Sequence, residues 1–182
     1  MTDRFTNDLP GGCRAVGTSS DGRDGARPSR KRPAHMPVIQ MGNRSDIVFL
    51  TVCAKDRKPI FNAVDAHALL IASWQSAQRW LVGRYVVMPD HIHLFCAPAS
   101  YPAEPIRAWT KYWRTLVSND WPRPEEHPLW QKDCWDTQLR RGESYTAKWN
   151  YVLGNPVRQG LVKASDEWPY QGELNVLTWH DE

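Results

Sequence analysis

Tyr85-Val-Val-Met-Pro-Asp-His91-Ile-His93-Leu-Phe-Cys-Ala-Pro98 is the stretch on which the reading of this chain turns. Pro89-Asp90 interrupts a run that otherwise has the composition of a buried strand. The pattern predicts one strand over Tyr85–Met88 and another over His91–Ala97. Side chains alternate across a strand, so His91 and His93 share a face, with Cα atoms roughly 6.5 Å apart. Ile92, Leu94 and Cys96 then face a core on the other side. Two imidazoles side by side repel when protonated, whereas one divalent cation can take both in their neutral form. From the residues alone, a pair of half-exposed strand histidines and a metal site both stand.

The segments around this run carry further strand and helix signals. Ile47–Cys53 predicts a first, buried strand. Asp65–Leu81 has apolar residues at helical spacing (Leu69, Ala72, Trp80, Leu81), with Asp65 as the expected N-cap. Ile106–Val117 predicts a second helix, Trp130–Arg140 a final strand, and Ser144–Leu153 a third helix capped by Ser144 and stopped at Gly154-Asn155-Pro156. This order predicts an α+β sandwich, with one antiparallel sheet, helices on one face and an appended C-terminal helix.

The chain has 182 residues and a net charge of +3, with 41% hydrophobic and 24% charged residues, ordinary for a globular protein. The excess charge lies in residues 1–36, where seven basic residues from Arg4 to Arg32 face only Asp3, Asp8, Asp21 and Asp24. That segment, rich in Gly, Pro, Ser and Arg, is expected to be a disordered basic tail ahead of a single domain over 37–182. The rest is neutral overall, so nucleic-acid contact by the domain requires local patches. Cys13, Cys53, Cys96 and Cys134 show no paired spacing, and no apolar run reaches membrane-spanning length. The expected setting is the cytoplasm, with reduced thiols and no membrane partner.

Several residues have the chemistry of a phosphate-handling site. Arg107, Lys111 and Arg114 share one face of the second helix, a basic stripe suited to a nucleic-acid backbone or simply to solvent. Ten tryptophans, among them Trp109 and Trp113, are available for base stacking or for a core. Tyr145 falls in the first turn of the third helix, where the helix dipole favours a phosphate or a developing phenolate, and Lys148 lies on the same side. Tyr151, flanked by Trp149 and Val152, reads as a core residue.

Three segments together resemble one family. Tyr85–Leu94 is similar to the histidine–hydrophobe–histidine signature of the single-tyrosine HUH transposases. Leu129-Trp-Gln through Leu139-Arg140 resembles their Trp-Gln…Leu-Arg strand. Glu143-Ser-Tyr through Asn155-Pro-Val-Arg-Gln-Gly-Leu-Val162 resembles their tyrosine helix and the segment that follows it. The match is closest to the REP-associated branch and covers residues 44–172. It implies a ferredoxin-like β-α-β-β-α-β core, a homodimer, and cleavage of single-stranded or hairpin DNA through a 5′-phosphotyrosine on Tyr145. It further implies Mg²⁺ or Mn²⁺ held by His91 and His93, with Arg107, Lys111, Arg114, Lys148 and Arg140 on DNA. Where relatives commonly carry a histidine, this chain has Trp135-Asp136-Thr137, leaving Gln131, Asp136 or Gln138 as substitute ligands. Two other readings stay open: a non-catalytic binder of structured DNA, and an H-x-H phosphoesterase acting through water. A zinc deaminase is disfavoured, since neither H-x-E nor C-x-x-C is present.

Overall fold

The computed structural model describes residue 38, residues 46–139 and residues 144–178. The expected tail over 1–36 lies outside the described residues, as do Cys13 and Arg140. Five strands form one antiparallel sheet: β1 (Val48–Cys53), β2 (Trp80–Val87), β3 (His91–Pro98), β4 (Trp135–Gln138) and β5 (Gln171–Glu173), in the spatial order β4-β1-β3-β2-β5. The helices are α1 (Val64–Ser76), α2 (Ile106–Asn119), α3 (Tyr145–Leu153) and the short α4 (Asn155–Arg158). The first four strands with α1 and α2 make the expected ferredoxin-like β-α-β-β-α-β arrangement. The edge strand β5 is added on the far side of β2.

Alternation along the strands divides the hydrophobic residues between two layers. Val48, Leu50, Val52, Ile92, Leu94 and Cys96 point to one face and pack with Leu70 and Trp74 of α1 and Trp109 and Trp113 of α2. Ile47, Val86, Met88 and Phe95 point to the other, where Tyr145 and Val152 of α3 and Trp168 cover them. The appended helix therefore closes the sheet face that α1 and α2 leave open. Register confirms the division, because Thr51 pairs with His93 and Cys53 with His91, whereas Leu50 pairs with Leu94.

Between Val82 and Tyr85 the β2–β3 register shifts by one residue. The extra residue lets Val82 and Tyr85 both face α1 and α2, while Arg84 is directed to the α3 side. A Cβ on Gly83 would lie 2.7 Å from the Leu177 side chain, so glycine is needed for that close approach.

Several expected boundaries move. The helix expected to reach Leu81 stops at Ser76, because Trp80 and Leu81 enter the β2–β3 ladder opposite Pro98 and Ala97. Asp65 is not the N-cap: that position is Ala63, and Asp65 in the first turn accepts from the Ala66 N–H at 2.7 Å and pairs with Arg123 at 2.6 Å. The Trp130–Arg140 segment pairs continuously only over Trp135–Gln138, with an isolated bridge from Trp130 to Ala54. It is not the final strand, since β5 follows. Gly154 ends α3 as expected, but Pro156 sits inside α4, where its missing N–H is no loss in the first turn. Trp109 and Trp113 are fully buried and hold α2 to the sheet, so they are core residues and not base stackers. Among the described residues no helix is long and apolar enough to cross a membrane.

Candidate functional site

On the α3 side of the sheet, His91 and His93 stand next to each other at the start of β3. Their Nε2 atoms are 3.0 Å apart, and the rings meet edge to face with centroids separated by 4.6 Å. Each Nδ1 has its own partner: Asp90 Oδ1 for His91 at 2.7 Å, and Thr51 Oγ1 for His93 at 2.9 Å. Although burial opposes it, the His91 hydrogen bond and the nearby Arg57 charge hold the Asp90 carboxyl below its ordinary range. An ionised carboxylate at 2.7 Å accepts from His91 Nδ1. With both rings neutral, His93 donates from Nε2 to His91 and accepts the Thr51 hydroxyl at Nδ1.

Burial drives the His93 pKa well below its usual value, and the positive charges of Arg57 and Arg158 add to the effect. His93 is accordingly a neutral ring, the form that binds metals. A spacing of 3.0 Å is also that of adjacent ligands around an octahedral cation with bonds of about 2.1 Å. The pair therefore fits a divalent cation once His93 moves its proton to Nδ1, where Thr51 can accept it. Neither Asp136 nor Gln138 completes the site. Thr137 pairs with Phe49 and shares the histidine face, whereas Asp136 pairs with Leu50 and points away, as does Gln138, whose amide donates to Asp46. The Gln131 backbone is taken up by Cys53 and Arg114. Among the described residues no cluster of three His, Cys, Asp or Glu side chains could hold a metal.

The turn after β1 brings a cation to this pair. Asp56 and Arg57 both adopt left-handed backbone conformations (φ 55° and 59°), each costing a non-glycine residue roughly 1–2 kcal/mol. Hydrogen bonds from Ala54 N to Asp90 O, Lys55 N to Leu129 O and Phe61 N to Pro89 O tie the turn down. Arg57 Nε reaches Asp90 Oδ2 at 2.6 Å, Nη1 donates to Cys53 Sγ at 3.1 Å, and Nη2 lies 3.3 Å from His91 Nδ1.

The two tyrosines of α3 exchange the places expected of them. Ser144 is the N-cap as expected, accepting from Ala147 N at 3.1 Å. Tyr145, however, is only 5% exposed. Its ring packs edge-on against Phe95, with the Arg84 guanidinium 5.3 Å from its centroid. Its hydroxyl lies near the Arg84 backbone without a hydrogen bond of normal geometry, and burial pushes its pKa up. Tyr151 is not core but 48% exposed, with the Arg158 guanidinium 4.2 Å from the ring centroid. Arg158 also donates to the Tyr151 carbonyl and to Asn155 Oδ1. A Cβ on Gly154 would collide with Arg158 Nη1 at 2.7 Å, so that glycine leaves room for the guanidinium to fold back.

The expected cations separate into two groups. Arg107 and Lys111 are exposed on α2, on the opposite side of the sheet from the histidines. Arg114 is occupied, donating to the Gln131 carbonyl and lying 5.3 Å from the Trp130 ring centroid. Lys148 does reach the histidine side: its Nζ lies 5.5 Å from the centroid of Phe49, whose ring stacks on His93. Arg57, Asp90, Thr51 and Arg158 were not singled out from sequence, and Tyr151 was weighed against Tyr145 but read as core. A signal existed for Tyr151, because Tyr145, Trp149 and Val152 at i, i+4 and i+7 define the buried stripe of α3 and exclude it.

No family model matches the chain. A Haemophilus influenzae protein named as a REP-associated tyrosine transposase is 27% identical over 96 residues, 46% of this chain and 53% of that protein. The Escherichia coli REP-associated tyrosine transposase is 26% identical over 90 residues, 49% of this chain and 52% of its own length. The chain thus spans about half the length of the curated relatives it matches. A solved structure of a REP-associated tyrosine transposase bound to a REP hairpin superposes with a TM-score of 0.62 at 18% identity, covering 79% of this chain and 82% of the other. That likeness is one of fold. Together with the two relatives, it bears out the resemblance carried by the three motifs.

Proposed function

We propose that this chain, similar in sequence and fold to REP-associated tyrosine transposases, is a strand transferase that cleaves single-stranded or hairpin DNA and stores the cut as a 5′-phosphotyrosine. The observation carrying this reading is the pairing of an exposed helix tyrosine, Tyr151, with two histidines whose Nε2 atoms converge on the same side of the sheet. Of the two candidates, we assign attack to Tyr151 and not to Tyr145, because a nucleophile must reach an incoming phosphate and Tyr145 is buried.

In this scheme the Tyr151 oxygen bonds to phosphorus and the bond to the 3′ oxygen breaks. The phenol gives up a proton and the departing 3′ oxygen gains one. The strand is held as an ester, so a later 3′-OH can displace the tyrosine without ATP. Arg158, stacked on the Tyr151 ring, can hold a non-bridging phosphate oxygen. Lys148 supplies a second positive charge on the same side. His91 and His93 would hold Mg²⁺ or Mn²⁺, which would supply Lewis-acid stabilisation of charge on the phosphate. Arg107 and Lys111, across the sheet, would meet DNA that extends beyond the site.

The test is an SDS-resistant protein–DNA adduct formed on a hairpin oligonucleotide with Mn²⁺. Tyr151→Phe should abolish it and Tyr145→Phe should not; an adduct that survives Tyr151→Phe overturns the assignment. The alternative is a hairpin binder without cleavage, favoured by the missing third ligand among the described residues. It predicts tight, salt-dependent binding and no adduct with either cation. The resemblance also carries the expectation of a homodimer, which light scattering measures directly.

A further inference from the structure

We infer that Arg158 is a positioning residue for Tyr151: folded back across the end of α3, its guanidinium fixes the tyrosine ring in one orientation, and Gly154 supplies the space it occupies. The inference rests on the reading of Tyr151 as the nucleophile, and it gives Arg158 a role apart from any hold on phosphate. The guanidinium carbon lies 4.2 Å from the Tyr151 ring centroid. Nη2 of the same group donates to the Tyr151 carbonyl and to Asn155 Oδ1. The guanidinium is thus tied to the backbone of the very residue whose ring it covers, and to the side chain that opens α4.

The path of the chain makes this contact possible. In one continuous helix, residues seven apart are displaced by about 10.5 Å along the axis. Here α3 stops at Leu153 and α4 starts at Asn155, with Gly154 as the C-cap of one and the N-cap of the other. The break lets Arg158 return toward Tyr151. Gly154 itself has φ −78° and ψ −3°, a backbone open to any L-residue, so conformation does not call for glycine. Space does, because a Cβ would stand 2.7 Å from Arg158 Nη1 and 3.6 Å from its Cζ. Tyr151 is half-exposed, and an unrestrained tyrosine on a surface exchanges quickly between staggered χ1 wells. A ring already held in one well is spared that search, and a misplacement of about 1 Å can cost about 10²-fold in rate.

Three-bond couplings from Tyr151 Cγ to its backbone nitrogen and carbonyl carbon report χ1 in the isotope-labelled full chain without DNA or metal, with Tyr151→Phe assigning the signal. Single-turnover formation of the hairpin adduct with Mn²⁺ reports the chemical step, and hairpin affinity is measured alongside. Wild type should show one χ1 well. Gly154→Ala keeps the positive charge but displaces the guanidinium. It should give averaged couplings and an adduct rate lower by about 10- to 100-fold, with hairpin affinity unchanged. Arg158→Lys, which keeps the charge without the planar fork, should average the couplings likewise. Averaged couplings in wild type overturn the inference, and this measurement needs no variant to fold. So does a Gly154→Ala chain that keeps either the wild-type couplings or the wild-type rate. Wild type that forms no adduct refutes the strand-transfer reading, while the couplings still decide whether Arg158 fixes the ring.

Discussion

Removing one oxygen from Tyr145 tests which tyrosine of α3 serves as the proposed nucleophile. In Tyr145→Phe the ring keeps its edge contact with Phe95, at a centroid distance of 5.0 Å, and loses only a hydroxyl that has no well-formed hydrogen bond. A buried polar group left unsatisfied costs about 1–3 kcal/mol. The neighbouring Arg84 guanidinium and backbone offset part of that here, so the lower end applies. The variant should be more stable by about 1 kcal/mol, a rise of roughly 2–4 °C in Tm for a domain of this size. Thermal unfolding followed by tryptophan fluorescence gives the shift, and the hairpin adduct assay on the same preparation gives the activity. A fall in Tm of several degrees would mean that the hydroxyl is satisfied. Loss of the adduct with Tm unchanged or raised would return the nucleophile to Tyr145.

Three other perturbations probe different layers of the molecule. Trp109→Ala, at a fully buried site holding α2 to the sheet, should cost about 3–5 kcal/mol in urea unfolding, and a near-neutral effect would argue for a surface role. Ser144→Ala removes the N-cap of α3 and should cost about 1 kcal/mol while lowering adduct yield, since the same helix carries Tyr151. Burial lowers the His67 pKa below its ordinary value. The folded state therefore binds fewer protons than the unfolded chain, so this contribution to stability is complete above about pH 6.5 and is lost as pH falls through that range. Urea midpoints measured between pH 5 and 7.5 should fall less steeply in His67→Gln than in wild type, and parallel slopes would count against the assignment.

What could be read from the sequence depended on whether a local pattern fixed the answer. Strand alternation placed His91 and His93 on one face and Ile92, Leu94 and Cys96 on the other, because a period of two leaves no freedom once one face is apolar. Ser144 was legible as a cap for a similar reason: its chemistry is local. Tyr151 was misread because its neighbours Trp149 and Val152 are apolar, although on a helix adjacency does not mean a shared face. Arg57 gave no signal, since its position depends on a left-handed turn formed by ordinary residues and stitched to distant backbone. The edge strand Gln171–Glu173 was missed because three residues without apolar alternation carry no strand period. The helix expected to reach Leu81 ran too far because Trp80 and Leu81 happen to fit a helical spacing, and pairing with β3 overrode it.

The division of β1 and β3 between two faces also governs how this protein can change over time. Positions 48, 50, 52, 92, 94 and 96 keep the chain folded, while 49, 51, 53, 91, 93 and 95 look toward α3 and the histidines. Even-numbered changes bear on the core under α1 and α2, and odd-numbered ones on the face that carries the histidines, where the buried Phe95 also packs against α3. Position 137, on the same face as the histidines, can vary while the core beneath stays intact. The histidine face can thus vary on one durable scaffold.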